Sequence, residues 1–238
     1  MKNETISIIM PMYNEQNIEN NVSIVEQELK NLNLNYEVLV VDDGSTNTCL
    51  EQANKISSKN VNVVGYKKNI GKGFALIYGF KYTKGDYIVF LDSDLDLHPK
   101  TIRDFLKYVP EYDVVIGSKR HPKSNVHYPL SRRLLSRLTQ LAVKTLFNLN
   151  VKDTQVGFKL FKRKVLEDIH QKLLVKKWAF DLELLVNANK LHYKIIERPI
   201  ELKFKFSSKI KPSAIFWSFV DMLAIFYRLK ILRYYDKK

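Results

Sequence analysis

The stretch Ile88-Val89-Phe90-Leu91-Asp92-Ser93-Asp94-Leu95-Asp96 passes from an unbroken apolar block directly into three alternating aspartates. Such a block predicts a central parallel strand covered on both faces, and in open α/β sheets ligands bind beyond the carboxyl ends of such strands. The three carboxylates therefore fall where a ligand belongs. Residues two apart on an extended chain share a face about 6.6 Å apart, so these anions repel unless a cation lies among them. Hard oxygen donors suit Mg2+ or Mn2+, and Mg2+ takes one or two carboxylates together with phosphates. An acidic, solvated turn is the plainer alternative. An EF-hand loop is excluded by register: counted from Asp92, Leu97 stands where glycine is required and Arg103 where a bidentate glutamate is required.

Further apolar runs begin near Ile6, Tyr36, Val61, Tyr87 and Asp113, and helix-like segments cover roughly 17–32, 48–57, 72–82 and 99–108. Strand and helix alternating every 25 to 30 residues or so is the pattern of parallel βαβ units with right-handed crossovers. The first half therefore reads as a doubly wound α/β sheet. Ser45-Thr46 and Pro99 are helix-start signals.

The 238 residues carry a net charge of +14 that is unevenly divided. Residues 1–115 hold 12 Lys/Arg against 16 Asp/Glu, whereas residues 116–238 hold 27 against 9, a net +18. That asymmetry calls for an anionic partner: nucleic acid, an anionic membrane surface or a phosphorylated substrate. The basic residues are interleaved with long Leu/Phe/Trp stripes, which favours lipid and argues against nucleic acid. A basic amphipathic helix is expected over 131–148. The aromatic segment from Pro212 is broken by Asp221 and Arg228, too short an uncharged run to span a bilayer, and is expected to lie in the membrane interface; for both helices the alternative is an apolar face packed on the protein's own core. The single Cys49 and the absence of a secretion signal fit a reducing, cytoplasmic setting.

Acidic and turn residues recur where the other strands end, at Pro11-Met12-Tyr13-Asn14-Glu15 and at Asp42-Asp43-Gly44-Ser45. A carboxylate at such a position commonly holds a ribose or base edge, while a metal neutralises the diphosphate. Asn69-Ile70-Gly71-Lys72-Gly73 opens a helix whose free N–H groups and lysine suit a phosphate. It is no P-loop, because Gly73 stands where Ser or Thr would bind magnesium. No Gly-x-Gly-x-x-Gly follows the first strand, which weakens a dehydrogenase reading.

Taken together, Pro11–Glu15, Val40–Ser45, Asn69–Gly73 and Leu91–Asp96 resemble the inverting nucleotide-sugar glycosyltransferases of family 2, whose fold is GT-A. In the second half Gly117–Arg120, Ser131–Ser136, Asp153–Lys159 and Trp178–Glu183 are similar to the dolichyl- or polyprenyl-phosphate hexosyltransferases, so nearly the whole chain to about Lys209 is covered. The resemblance implies a GT-A catalytic domain over 1–210, with a nucleotide-sugar half at 1–115 and an acceptor half at 116–210. An amphipathic interface segment would follow over 211–238. It further implies that Pro11, Tyr13, Glu15, Asp42, Asp43, Gly71, Lys72, Asp92 and Ser93 bind the nucleotide sugar. Asp92, Asp94 and Asp96 would surround Mg2+ or Mn2+, although glutamine is frequent in the family where Asp96 stands. Lys119, Arg120, Arg132, Ser136 and Lys209 would hold the lipid phosphate, with Asp94 and Arg132 as the catalytic residues. Thr154, Gln155, Asp181 and Glu183 are possible sugar or acceptor contacts, and Asp181 and Glu183 are alternatively buried acids bonded to arginines. Arginine is usual where Lys119 stands, and lysine supplies a point charge in place of a bidentate fork, so the contact passes in part to Arg120.

The implied reaction moves a hexose from a nucleotide sugar onto dolichyl or polyprenyl phosphate at the cytoplasmic face of a membrane. A phosphate nucleophile is already ionised, so no general base and no catalytic histidine is expected. Leu91–Pro99 resembles the mannosyl branch, which uses GDP-mannose. Asp153–Lys159 and Trp178–Glu183 resemble the glucosyl branch, which uses UDP-glucose, and being longer they tip the reading to glucose. A hydroxyl acceptor on a polysaccharide or protein is the alternative, with Asp181 as its candidate base.

Overall fold

The computed structural model describes residues 4–124, 130–177, 179–201 and 212–236, with the side chains of 130–138 and 212–215 outside that description. Seven strands form one sheet: β1 (Thr5–Met12), β2 (Asn35–Asp43), β3 (Val61–Tyr66), β4 (Tyr87–Phe90), β5 (Val114–Ser118), β6 (Lys159–Lys162) and β7 (Ile195–Pro199). Their spatial order is β3-β2-β1-β4-β6-β5-β7, and every pairing is parallel except the two made by β6. The chain moves outward from β1 to β3 and then returns to lay β4 on the other side of β1. That reversal opens a crevice at the carboxyl ends of β1 and β4.

Alternate strand residues feed two cores. Ile88 and Phe90 enter one, while Tyr87, Val89 and Leu91 enter the other, as a strand of period two buried on both faces requires. One core is closed by α1 (Ile18–Lys30), α2 (Cys49–Asn54) and α4 (Thr101–Leu106). The other is closed by α3 (Lys72–Phe80), α5 (Leu130–Phe147), α6 (Arg163–Ile169), α7 (Phe180–Lys190) and α8 (Pro212–Lys230). The architecture is a mostly parallel sheet flanked by helices.

Three local expectations change. Ser45 and Thr46 do not cap α2: the Ser45 hydroxyl accepts the Asn14 N–H, and the Thr46 N–H goes to the Asn14 side chain, so both tie the first two strand ends together. β6 inserts antiparallel between β4 and β5 as a four-residue strand bearing two lysines. The segment from Pro212 does not lie wholly on a surface, because Met222, Ile225 and Tyr235 are core residues. Its other side stays exposed, with Phe216, Phe219, Leu223, Tyr227 and Ile231 in one stripe at helical spacing.

Candidate active site

The crevice is a cleft of about 290 Å3 whose walls are the β1 end from Pro11 to Glu15, Asp43, Lys72 and the segment from Asp92 to Asp94. Asn14 adopts a left-handed backbone, φ 57°, which turns the chain back after β1. Asn21 of α1 donates to the Ser93 carbonyl over 2.8 Å and so fixes the loop after β4. That loop is not extended. Leu95 is left-handed at φ 51°, its N–H returns to the Asp92 carbonyl, and the Asp96 N–H bonds the Asp94 carboxylate. The even spacing expected of Asp92, Asp94 and Asp96 is therefore replaced by a turn. Asp94 and Asp96 are exposed, while Asp92 is half-buried. Among the described residues no three acidic, histidine or cysteine side chains group closely enough to cage one metal ion.

The Asp92 carboxylate forms an ion pair with Lys72 at the first turn of α3. Behind it, Lys159 is 1% exposed and donates to the Val156 carbonyl over 2.5 Å and to the Asp181 carboxylate over 2.7 Å. Burial drives the Lys159 ammonium below its usual range, against the pull of Asp181. Burial acts on Lys72 in the same sense, but Asp92 and Asp181 more than offset it and hold that ammonium above its usual range. Desolvation by the cleft wall, then the Asp92 charge, lifts the Asp94 carboxyl above the carboxylate norm. Two lysines and two aspartates thus interleave here, and Asp94 adds a further negative charge at the rim. Asp92 and Asp94 fit a divalent cation whose remaining ligands come from phosphate oxygens, and they do not make an all-protein cage.

Gly157 faces Asp92 across the β4/β6 pairing: a Cβ built there would fall 1.9 Å from the Asp92 carboxylate oxygen. Neither Gly157 nor Lys159 was singled out as a site residue in the sequence. Both lie within Asp153–Lys159, but only the antiparallel insertion of β6 brings them against Asp92.

Asp42 and Asp43 are both buried, and both carboxylates are engaged within the loops. Asp42 accepts the Ser45 N–H over 3.2 Å. Asp43 accepts the Tyr66 hydroxyl, the Asn69 amide and the Ile70 and Gly71 N–H groups, so it anchors the turn that presents Lys72. Burial and this bond push the Tyr66 phenol far above its usual range. Gly71, at φ 129°, has the Lys176 carbonyl where a Cβ would go.

On the acceptor side, the Lys119 N–H bonds Asp153 over 3.0 Å, and Arg120 reaches Gln140 of α5 over 3.1 Å. Thr154 is half-buried and Gln155 exposed. The side chains of Arg132 and Ser136, at the start of α5, and the whole of Lys209 lie outside the described residues. Glu183 is fully buried, and both its oxygens serve the packing of α7, α8 and residues 174–175, so the structure puts it away from the cleft.

The sequence profile of the family described as Glycosyl transferase family 2 matches residues 7–170. The chain is 32% identical to a dolichyl-phosphate beta-glucosyltransferase of Trichomonas vaginalis, over 98% of this chain and 77% of that protein. It is 30% identical to a dolichyl-phosphate beta-glucosyltransferase of Dictyostelium discoideum, over 87% of this chain and 69% of that one. The fold is shared with glucosyl-3-phosphoglycerate synthase from Mycobacterium tuberculosis, solved in complex with Mn2+, uridine diphosphate and glucosyl-3-phosphoglycerate. There the TM-score is 0.67 at 20% identity, covering 94% of this chain and 79% of that one. With a cleft at the β1/β4 reversal, a profile match across more than half the residues and relatives aligned along most of its length, the chain belongs to glycosyl transferase family 2.

Proposed function

We propose that this protein transfers glucose from UDP-glucose to a dolichyl or polyprenyl phosphate, acting from the cytoplasmic face of a membrane. The observation that carries the donor half is the cleft in which Lys72 and Asp92 pair beside Asp94 at the carboxyl edge of the sheet. Both relatives are dolichyl-phosphate beta-glucosyltransferases, which supports glucose over mannose.

The chain's own groups divide the work. Asp92 and Asp94 would hold Mg2+ or Mn2+ against the donor diphosphate. That ion, when bound, supplies positive charge for the departing nucleoside diphosphate. Lys72 sits at the first turn of α3, where its ammonium meets phosphate oxygens; the neighbouring backbone N–H groups expected to help are already taken, those of Ile70 and Gly71 by Asp43 and those of Gly73 and Phe74 by the Lys176 carbonyl. Pro11, Tyr13 and Glu15 flank the nucleotide. An oxygen of the acceptor phosphate attacks the anomeric carbon from the face opposite the leaving group, the bond to the diphosphate breaks, and the sugar inverts. The nucleophile carries its charge already, so no residue must take a proton. Asp181 is tied to buried Lys159, which favours a phosphate acceptor over a hydroxyl that would require Asp181 as base.

Residues 1–210 form the catalytic unit in this reading, with Lys119, Arg120, Arg132, Ser136 and Lys209 as the residues that would bind the acceptor phosphate. Residues 211–238 lie at the bilayer surface, where the exposed stripe of α8 enters the headgroup region. No described helix is long and apolar enough to cross a membrane. The test is to incubate the protein with Mn2+, polyprenyl phosphate and labelled UDP-glucose or GDP-mannose, then extract the lipid. Label from UDP-glucose is expected in the organic phase, and an unlabelled lipid with every donor would overturn the proposal.

A further inference from the structure

Glu183 projects from α7 into a site with no opening to solvent, yet it is among the most heavily engaged side chains of the molecule. One oxygen accepts the N–H groups of Leu174 and Val175 over 2.8 and 2.7 Å. The other accepts the Tyr235 hydroxyl over 2.5 Å and lies 3.3 Å from the Arg228 guanidinium, which also donates to that hydroxyl. Residues 174–175, just before α7, and the C-terminal pair Arg228 and Tyr235 therefore converge on one carboxylate. A buried, ionised group is tolerated only when bonded in this way, and removing a partner leaves the remainder exposed to its full desolvation cost.

The segment held by Glu183 continues directly to the donor side. One residue past Val175, the Lys176 carbonyl accepts the Gly73 and Phe74 N–H groups over 3.0 and 3.3 Å, closing the first turn of α3. Gly71 packs against the same carbonyl so closely that no side chain fits between them. Lys72 lies between those two contacts. Helix α8, whose outer face is the exposed apolar stripe, is thus joined through Glu183 to the turn that aims Lys72.

We infer that Glu183 is a positioning residue for the donor site, which locks α8, residues 173–177 and the first turn of α3 into one unit so that the C-terminal helix governs how Lys72 is presented. This rests on the proposed donor reading of the cleft. It predicts that loosening the lock weakens nucleotide diphosphate binding although neither Glu183 nor Tyr235 lines the cleft.

The experiment compares the full-length wild type with Tyr235→Phe and Glu183→Gln. A control, Leu29→Val, lies at the far end of α1 in the opposite core. Tyr235→Phe removes the two bonds of the hydroxyl, to Glu183 and from Arg228, and keeps the ring and its packing, so it retains the fold even if Glu183→Gln does not. Titration with UDP and Mn2+ is expected to show about a fivefold to tenfold weaker affinity in Tyr235→Phe. Hydrogen exchange at Gly73 and Phe74 should quicken in the same variant without ligand. Leu29→Val should lower the melting temperature without moving either readout. Unchanged exchange at Gly73 and Phe74 in Tyr235→Phe, or UDP affinity that merely follows the melting temperature across all variants, overturns the inference while leaving the donor reading intact. A wild type that binds neither UDP nor GDP overturns the donor reading and this inference with it.

Discussion

The aspartates after β4 work through the space that Gly157 leaves open. A methyl at 157 would overlap the Asp92 carboxylate, so the carboxylate must leave the position in which it pairs with Lys72. Gly157→Ala is therefore expected to leave the melting temperature within a few degrees of wild type while weakening UDP and Mn2+ binding at least tenfold, as titration calorimetry would show. Asp94→Ala removes charge at an open rim, so transfer should be lost with the circular dichroism spectrum unchanged; full activity would mean that the cation is held elsewhere. Lys159→Met differs in kind, because it strands Asp181 beside an apolar neighbour. Breaking a buried ion pair costs about 3 to 5 kcal/mol, so this variant should show a clear loss in urea unfolding. Asp92 and Lys72 were legible in the sequence as types at a strand end. Gly157 and Lys159 were not, because sequence spacing carries no sign of which strand lies beside β4.

Elements with long apolar runs were legible throughout: β1 to β5 and α1 to α4 begin close to where their periodicity places them. The antiparallel insertion was not. Phe158-Lys159-Leu160-Phe161-Lys162 is short and carries two charges, and its meaning comes from burial of Lys159 beside Asp181 and from capture of Lys162 by Asp113. Asp113, just before β5, accepts from the Lys162 ammonium over 2.9 Å and from the Lys194 N–H over 2.9 Å, joining β5, β6 and the approach to β7. Burial alone would raise its carboxyl, but those two donors prevail and hold it below the usual carboxylate range. A carboxyl lowered in the folded state stabilises above its unfolded pKa of about 3.9, and the gain fades as pH falls through the folded value. Asp113→Asn should therefore be less stable than wild type by about 1 kcal/mol near pH 7, with the two unfolding curves converging toward pH 3. A constant gap across that range would show that the ionised form is not what matters.

At the scale of the molecule, the basic half and the exposed stripe of α8 make one argument about the acceptor. In the proposed reaction the acceptor phosphate stays in the bilayer on its lipid, so the cleft would have to be brought to the headgroups. The +18 of residues 116–238 supplies long-range attraction to an anionic surface, which a Debye length of about 8 Å at physiological salt confines to close approach. Attraction of that kind gives no orientation. Phe216, Phe219, Leu223, Tyr227 and Ile231 supply one, since a helix with one face in the protein core can present only the other to the lipid. The two contributions separate experimentally. Raising salt from about 0.1 to 1 M shortens the screening length to about 3 Å and should release most of the protein from phosphatidylserine vesicles. Leu223→Asp places a charge at the middle of the stripe, where an apolar side chain contributes about 1.5 to 3 kcal/mol when fully buried. It should lower vesicle binding at least tenfold at fixed salt in co-sedimentation, with UDP affinity in solution unchanged because the substituted side faces away from the Glu183 lock. Vesicle binding that persists in Leu223→Asp yet still falls with salt would assign the contact to the basic surface alone and leave the stripe of α8 outside the bilayer.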